Sequence, residues 1–243
     1  LLRSFGYRYV LVDSDHVSAV TPMSWQELRY RPHIARYGGE EIAVIVRDRD
    51  LSNAQESGMD LGWFLKEVGE RTKWCDFPPL VTTATDGDNG GWFRNRGYAA
   101  NYWGFYRSLL DQARSPEATV CPTFIDDYLK EYGAHGEVHV GTGAWNTGWH
   151  HGHGFLQWTG SQAQRDALAR VAQVSQELHA TQGKAEEMQL KDPGFDYWSG
   201  EATWRLLRAE TSCNIYWGET WVPRCHADLD RSWEAMQRAR EGL

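Results

Sequence analysis

The chain of 243 residues carries a formal net charge of -8, which disfavours binding to nucleic acid or to an anionic membrane surface because both are negatively charged. No apolar run reaches the roughly 20 residues of a membrane-spanning helix. The four cysteines are scattered without a close CxxC pair, so they indicate neither a disulfide framework nor a zinc site and favour a reducing, cytoplasmic location.

Four short β-rich segments alternate with helical patterns in the first part of the chain. They are YRYVLV (7–12), IAVIV (42–46), LVTTA (80–84) and EVHV (137–140). The central two are continuously apolar, as in strands buried on both faces of a parallel sheet. Apolar residues at helical spacing predict helices over 59–72 and 98–113. The alternation therefore predicts an α/β fold built from βα units with parallel strands.

The character of the sequence changes after the glycine-rich stretch that follows the fourth segment. Ser161 is typical of a helix N-cap, and apolar residues at helical spacing follow it over 161–180. Helical patterns also cover 199–210 and 226–243. We therefore predict βα units over residues 1–145 and a mainly helical region over residues 146–243.

Acidic residues follow each of the first three predicted strands. They are Asp13 and Asp15, Asp48, and Asp86 and Asp88, with His16, Arg47 and Arg49 nearby. In a βα barrel the carboxyl ends of parallel strands converge on one mouth, where active sites form. Asp is also common in turns and helix caps, but its recurrence at three strand ends favours a functional site.

The stretch TDGDNGGWF (85–93) contains more acid and glycine than a turn requires. Its glycines would let the backbone come close to a sugar, and Trp92 would offer a flat stacking face. The chain has 13 Trp and 11 Tyr, so some aromatic side chains can line a sugar-binding cleft while most of them form the core.

Several motifs resemble those of glycoside hydrolase family 57, a family of α-amylases and 4-α-glucanotransferases. TDGDNGGWF resembles the family's fourth signature region, and RAETSCNIYWGETW (208–221) resembles its fifth. RYVLVDSDHV (8–17) resembles the strand after the third region, and IAVIVRDRDLSNA (42–54) resembles a strand carrying Arg-Asp and then a Leu-Ser turn. The motifs occur in the family's order and span most of the chain.

This resemblance implies part of an incomplete (β/α)7 barrel with parallel strands, followed by helices. It implies a retaining glycoside hydrolase or glucanotransferase that acts on an α-glucan-type polysaccharide without a cofactor, with Asp86 as the general acid/base. The family's nucleophile is a Glu of the third region, which would precede Leu1. The chain is therefore expected to be the C-terminal portion of the enzyme and to be inactive alone.

The other expected site residues are substrate contacts. Asp88 stands where the family usually has Glu, and Cys213 replaces an Asp of the fifth region. The expected contacts are Asp13, His16, Arg47, Asp48, Asp88, Trp92, Trp145, Trp149, His151, Glu210 and Trp217.

The stretch WNTGWHHGHGF (145–155) raises the alternative of a metal site through His150, His151 and His153. We favour contacts to sugar hydroxyls and predict no metal, because adjacent histidines on an extended loop point apart.

Two other functions remain open from the sequence. A metal-dependent carbohydrate deacetylase could use DSDH (13–16) and the histidine loop as ligands, and would bind metal and release acetate. A non-catalytic glycan-binding protein would explain Cys213 and the missing nucleophile, and would bind oligosaccharide without turnover. The sugar, the linkage and the oligomeric state do not follow from the sequence.

Overall fold

The computed structural model describes residues 1–86, 96–143 and 154–243, and for residues 96–103 the backbone only. The chain forms two compact units, Leu1–Thr142 and Gly143–Leu243.

A three-stranded sheet organises the first unit, with the strand order β1 (Tyr9–Asp13), β4 (Glu40–Arg47) and β3 (His33–Tyr37). Strands β1 (Tyr9–Asp13) and β4 (Glu40–Arg47) run parallel, as predicted, with Tyr9 opposite Ala43 and Asp13 opposite Arg47. The predicted strand 80–84 contributes a single parallel bridge, between Thr82 and Arg47. It therefore runs beside the end of β4 without forming an extended strand.

Antiparallel pairing is the main departure from the predicted parallel sheet. Strand β3 (His33–Tyr37) forms a hairpin with β4, and β5 (Val138–Val140) pairs antiparallel with β2 (Val17–Ala19) in a second small sheet. Gly38 and Gly39 at the hairpin turn have φ of +58° and +84°, a left-handed conformation that glycine adopts without strain. The fold is mixed α/β, and no closed barrel forms among the described residues.

Five helices of the first unit lie in the described ranges: α1 (Trp25–Tyr30), α2 (Arg49–Glu56), α3 (Leu61–Thr72), α4 (Arg96–Gln112) and α5 (Ile125–Tyr132). The predictions for α3 and α4 are confirmed. Asp48 and Asp60 cap the starts of α2 and α3 by accepting backbone N–H bonds. Leu51, Phe64 and Phe105 belong to the apolar core that these helices share.

The second unit consists of helices in its described part: α6 (Leu156–Thr159), α7 (Gln162–Glu187), α8 (Pro193–Ala209), α9 (Cys213–Tyr216) and α10 (Val222–Arg240). Ser161 and Gln164 form a reciprocal capping box at the start of α7, which confirms Ser161 as the N-cap. The three long helices share an apolar core, to which Leu178, Leu206 and Leu229 contribute.

All four cysteines lie in the described ranges and are free. Burial raises the pKa of the Cys225 thiol to about 11, so this thiol stays protonated near neutral pH. Within residues 1–86, 96–143 and 154–243, no helix is both long and apolar enough to cross a membrane.

Candidate functional site

The carboxyl ends of β1 and β4 and the segment around Thr82 meet at one edge of the sheet. Asp13, the last residue of β1, is in register with Arg47, the last residue of β4. Thr82 lies on the other side of Arg47. The structure thus brings together two of the three predicted strand ends, with the third beside them.

Two arginines bind the Asp13 carboxylate. Arg47 Nη1 donates to Oδ2 at 2.5 Å, and Arg49 Nε donates to Oδ1 at 2.8 Å. The backbone N–H of Asp15 donates to Oδ1 at 3.0 Å, and the Asp15 carboxylate lies 3.1 Å from Arg49 Nε. The side chains of Asp13, Arg47 and Arg49 are 13%, 6% and 7% exposed, so this is a nearly buried ion-pair network.

These contacts keep Asp13 ionised. Burial raises the pKa of the Asp13 carboxyl, but the backbone N–H of Asp15 and the two guanidinium groups together lower it further, and the pKa lies below its ordinary value. With both oxygens bonded to guanidinium donors, Asp13 is arranged to hold Arg47 and Arg49 in place.

Arg47 also bonds to the backbone at the third predicted strand end. Its Nε donates to the carbonyl oxygen of Ala84 at 2.8 Å, and its Nη2 donates to Asn53 Oδ1 at 3.4 Å. A buried guanidinium group therefore joins the end of β1, the helix α2 and the backbone that leads to Asp86.

Ser52 and Asp48 fix the same backbone from α2. The hydroxyl of Ser52 accepts from the N–H of Ala84 at 3.1 Å and donates to the carbonyl oxygen of Asp48 at 2.6 Å. The N–H of Asp48 donates to the Thr82 carbonyl oxygen at 2.8 Å. Asp86 follows two residues after Ala84 and is exposed.

Asn53 and Ser52 were not among the predicted site residues. Their signal in the sequence is weak, because each is a common polar residue. Ser52 is nevertheless fully buried on α2, four residues after Asp48, where a hydroxyl needs a backbone partner.

Asp48 has a structural role, as the buried cap of helix α2. Its carboxylate is 1% exposed and caps α2, with Oδ1 accepting from the N–H of Leu51 at 3.0 Å. Tyr30 donates its hydroxyl to Oδ2 at 2.8 Å, and Arg71 Nη1 lies 3.4 Å from the same oxygen. Burial, together with the negative charge of Asp48, raises the pKa of Tyr30. The expected contact of Asp48 with substrate stays a prediction.

His16 ends the short turn after β1 and is half-buried. Its carbonyl oxygen accepts from the N–H of Gly141 at 2.8 Å, where β2 and β5 meet. His16 therefore lies in the loop that carries Asp15.

Glu210 and Trp217, the predicted residues of the fifth motif, lie in the helical unit. Glu210 is exposed at the C-terminus of α8. Trp217 follows α9, is 54% exposed, and packs edge-on against Tyr216 with ring centroids 4.9 Å apart. Gln157 donates to the Tyr216 carbonyl oxygen at 2.6 Å, and Gln164 donates to that of Ile215 at 2.8 Å. Side chains of α6 and α7 thus fix the turn that presents Trp217.

The remaining predicted residues lie outside the described residues. They are Asp88, Trp92, Trp145, Trp149 and His151, together with His150 and His153. Among the residues that the structure does describe, no three His, Cys, Asp or Glu side chains are grouped as metal ligands.

No protein-family model matches the chain, and no curated protein matches its sequence. Among solved structures, the fold is similar to the crystal structure of 4-alpha-glucanotransferase from Thermococcus litoralis, with a TM-score of 0.59 and 19% sequence identity. The match covers 100% of this chain and 40% of that chain, so this chain spans less than half the length of the enzyme. At this identity the likeness shows a shared fold.

Proposed function

We propose that this chain is part of a retaining glycoside hydrolase or glucanotransferase that acts on an α-glucan-type polysaccharide, with Asp86 as the general acid/base. The first unit would supply later βα units of an incomplete (β/α)7 barrel, and the helical unit would follow it. The nucleophile would come from outside residues 1–243, so the chain alone would not catalyse. No cofactor enters this chemistry, and the free cysteines agree with a cytoplasmic setting.

The observation that carries the proposal is the shared edge formed by β1, β4 and the segment leading to Asp86. Parallel neighbours deliver their carboxyl ends to one side of a sheet, which is where active sites of βα folds form. Arg47 and Ser52 bond to both backbone groups of Ala84 and so fix the point from which Asp86 emerges. The structural likeness to a 4-alpha-glucanotransferase supports the same class of enzyme.

A retaining mechanism requires a second carboxylate about 5–5.5 Å from the acid/base. Asp13 is poorly suited to that role because guanidinium donors occupy both of its oxygens and hold its charge. A nucleophile must expose an oxygen to the anomeric carbon. Asp13 therefore acts as a positioning residue in this proposal, through Arg47 and Arg49.

The same contacts weigh against a deacetylase that uses Asp13 as a metal ligand. A ligating carboxylate presents at least one oxygen to the metal, whereas both oxygens of Asp13 accept hydrogen bonds from arginine. The expected substrate contacts, from Asp88 and the tryptophans of the glycine-rich loops to Glu210 and Trp217, remain part of the proposal.

The deciding experiment replaces Asp86 with Asn in the complete protein and measures release of reducing ends, and transfer products, from an α-glucan. We expect kcat to fall by about 10²–10⁴-fold, the usual contribution of general acid–base catalysis. Asp127→Asn is the matched control, since Asp127 is an exposed acid on α5. Unchanged activity in Asp86→Asn would refute the assigned role. Oligosaccharide binding without turnover in the wild type would favour the non-catalytic glycan-binding protein.

A further inference from the structure

A pocket of about 340 Å³ lies within the helical unit, where the end of α8 and the residues after it meet one face of α10. Its lining residues are Arg208, Thr211, Asn214, Arg224, Ala227, Asp228 and Arg231. The members on α10 fall at helical spacing, so they share one side of that helix. Asn214 donates to the carbonyl oxygen of Arg208 at 3.0 Å and so fixes the end of α8 at the pocket wall.

The pocket is strongly basic although the chain is acidic. Three arginines against one aspartate leave the lining with a net charge of +2, whereas the whole chain carries -8. Arg224 is held over the ring of Trp221, with 3.9 Å from its guanidinium carbon to the ring centroid. A local concentration of guanidinium groups of this kind attracts anions.

The three guanidinium groups retain hydrogen-bonding capacity. Arg208 Nε and Arg231 Nη1 lie 3.4 and 3.7 Å from Asp228, distances of ion pairs longer than good hydrogen bonds. Within residues 1–86, 104–143 and 154–243, the guanidinium groups of Arg208, Arg224 and Arg231 donate no hydrogen bond to another residue. Their N–H groups are therefore available to a ligand.

Asp228 supplies the second, independent feature. It is 7% exposed, lines the pocket, and its Oδ1 is buried without a hydrogen-bond partner. Arg205 Nη1 and Arg231 Nη1 each lie 3.7 Å from this oxygen, which is ion-pair distance but too long for a good hydrogen bond. Buried carboxylate oxygens are costly to leave without a donor. The ligand that completes the pocket therefore combines an anionic group for the arginines with a hydroxyl that donates to Asp228.

We propose that this pocket binds a phosphate group that carries or adjoins a hydroxyl, as in a sugar phosphate. The phosphate oxygens accept from the guanidinium groups, and the hydroxyl donates to Asp228 Oδ1. Inorganic phosphate shares this chemistry through its own P–OH. The site belongs to the helical unit and does not depend on the proposed glycosidase chemistry, so either proposal can fail without the other.

The test is calorimetric titration of the 243-residue chain at neutral pH and low ionic strength. The probes are glucose 1-phosphate, inorganic phosphate, sulfate and glucose. We expect saturable binding of both phosphates, and binding of sulfate about tenfold weaker because sulfate has no proton to donate to Asp228. Tighter binding of glucose 1-phosphate identifies the sugar phosphate as the ligand, and equal binding identifies the free ion.

Arg224→Gln is the most informative variant, because Arg224 forms no ion pair with Asp228 among the described contacts. In this variant the buried carboxylate of Asp228 keeps its ion pairs with the other arginines. We expect Arg224→Gln to weaken phosphate binding about tenfold, the usual effect of losing one charge-assisted contact. Arg114→Gln is the matched control: it removes the same charge from an 83% exposed side chain in the other unit. Circular dichroism establishes that both variants keep the helical fold.

Three results would overturn the proposal. The first is no saturable binding of either phosphate up to about 10 mM, which is weaker than the millimolar affinity of a marginal small-ligand site. The second is equal weakening in Arg224→Gln and Arg114→Gln, which would mean that only overall charge matters. The third is sulfate binding as tightly as phosphate, which would remove Asp228 from the site.

Discussion

Replacing Asp13 with Asn removes one negative charge from between two buried arginines while it keeps the shape of the side chain. Arg47 and Arg49 are only 6% and 7% exposed, so water cannot replace the lost carboxylate. Breaking a buried ion pair by removing one partner costs about 3–5 kcal/mol. The replacement amide oxygen still accepts one hydrogen bond, and Arg49 keeps Asp15 at 3.1 Å. We therefore expect a loss of about 2–3 kcal/mol in local stability.

Native-state hydrogen exchange of the β1 and β4 amides is the suitable assay, because it reports the free energy of opening for the strands that end at Asp13 and Arg47. A loss of this size corresponds to exchange that is about 30- to 150-fold faster. Asp15→Asn is the matched control: the Asp15 side chain is 41% exposed and, among the described residues, has one ion-pair contact, with Arg49. Its expected cost is below about 1 kcal/mol.

The dependence on pH gives a second check of the same network. Because the pKa of Asp13 is depressed in the folded state, its stabilisation is fully present above the ordinary Asp pKa of about 3.9 and is lost as the pH falls through the lower folded-state value. The stability difference between wild type and Asp13→Asn should therefore shrink in acid. Equal costs for Asp13→Asn and Asp15→Asn at neutral pH, or a difference that persists below both pKa values, would refute this account.

Three further predictions concern other parts of the chain. His33→Leu should destabilise the first unit by about 2–4 kcal/mol, because the ring nitrogens of this 1% exposed side chain lie 2.5–3.1 Å from three backbone carbonyl oxygens and leucine can donate to none of them. Urea unfolding measures the loss of stability, and a cost below about 1 kcal/mol would contradict the prediction. Trp217→Ala should lower the free energy of unfolding by less than about 1 kcal/mol, since the side chain is 54% exposed, but should weaken oligosaccharide binding by the complete protein. Affinity titration measures the binding, and unchanged binding would show that Trp217 is not a substrate contact. Residues 1–243 alone should not cleave an α-glucan in a reducing-sugar assay; cleavage abolished by Asp86→Asn would mean that this chain holds its own nucleophile.

Local patterns were sufficient for the helices with regular apolar spacing. The predictions for 59–72, 98–113 and the helix after Ser161 are confirmed because periodicity and caps lie within the segment itself. Helix α2 was not predicted, since RDLSNAQE is polar and its start depends on Asp48 as the N-cap. The motif-based expectation of a Leu-Ser turn is wrong, because Leu51 and Ser52 lie inside this helix.

Strand partners were harder to predict because pairing is a non-local choice. The sequence HIARY has no clear alternation, and it becomes β3 by pairing with β4 across the Gly38-Gly39 turn. EVHV was correctly predicted to be extended, but its partner is β2 and the pairing is antiparallel. A strand's composition indicates how buried it is, and only the assembled sheet determines its neighbour.

The positions of Asp13 and Arg47 after apolar runs predicted that they lie at one edge of the sheet, but the sequence alone does not distinguish the surroundings of the carboxylates. Asp13 and Asp86 look equivalent in sequence, since each follows an apolar run. In the fold, Asp13 is in register with Arg47 and within reach of Arg49, so it receives the cations. Arg47 directs its Nε to the backbone at Ala84, two residues before Asp86, and the contacts of the described residues include no guanidinium on Asp86. A carboxylate bound by arginine is held ionised, whereas an acid/base catalyst must gain and lose a proton. The fold therefore gives the two acids different surroundings: Asp13 is held by Arg47 and Arg49, whereas Asp86 follows the backbone that Arg47 and Ser52 fix at Ala84.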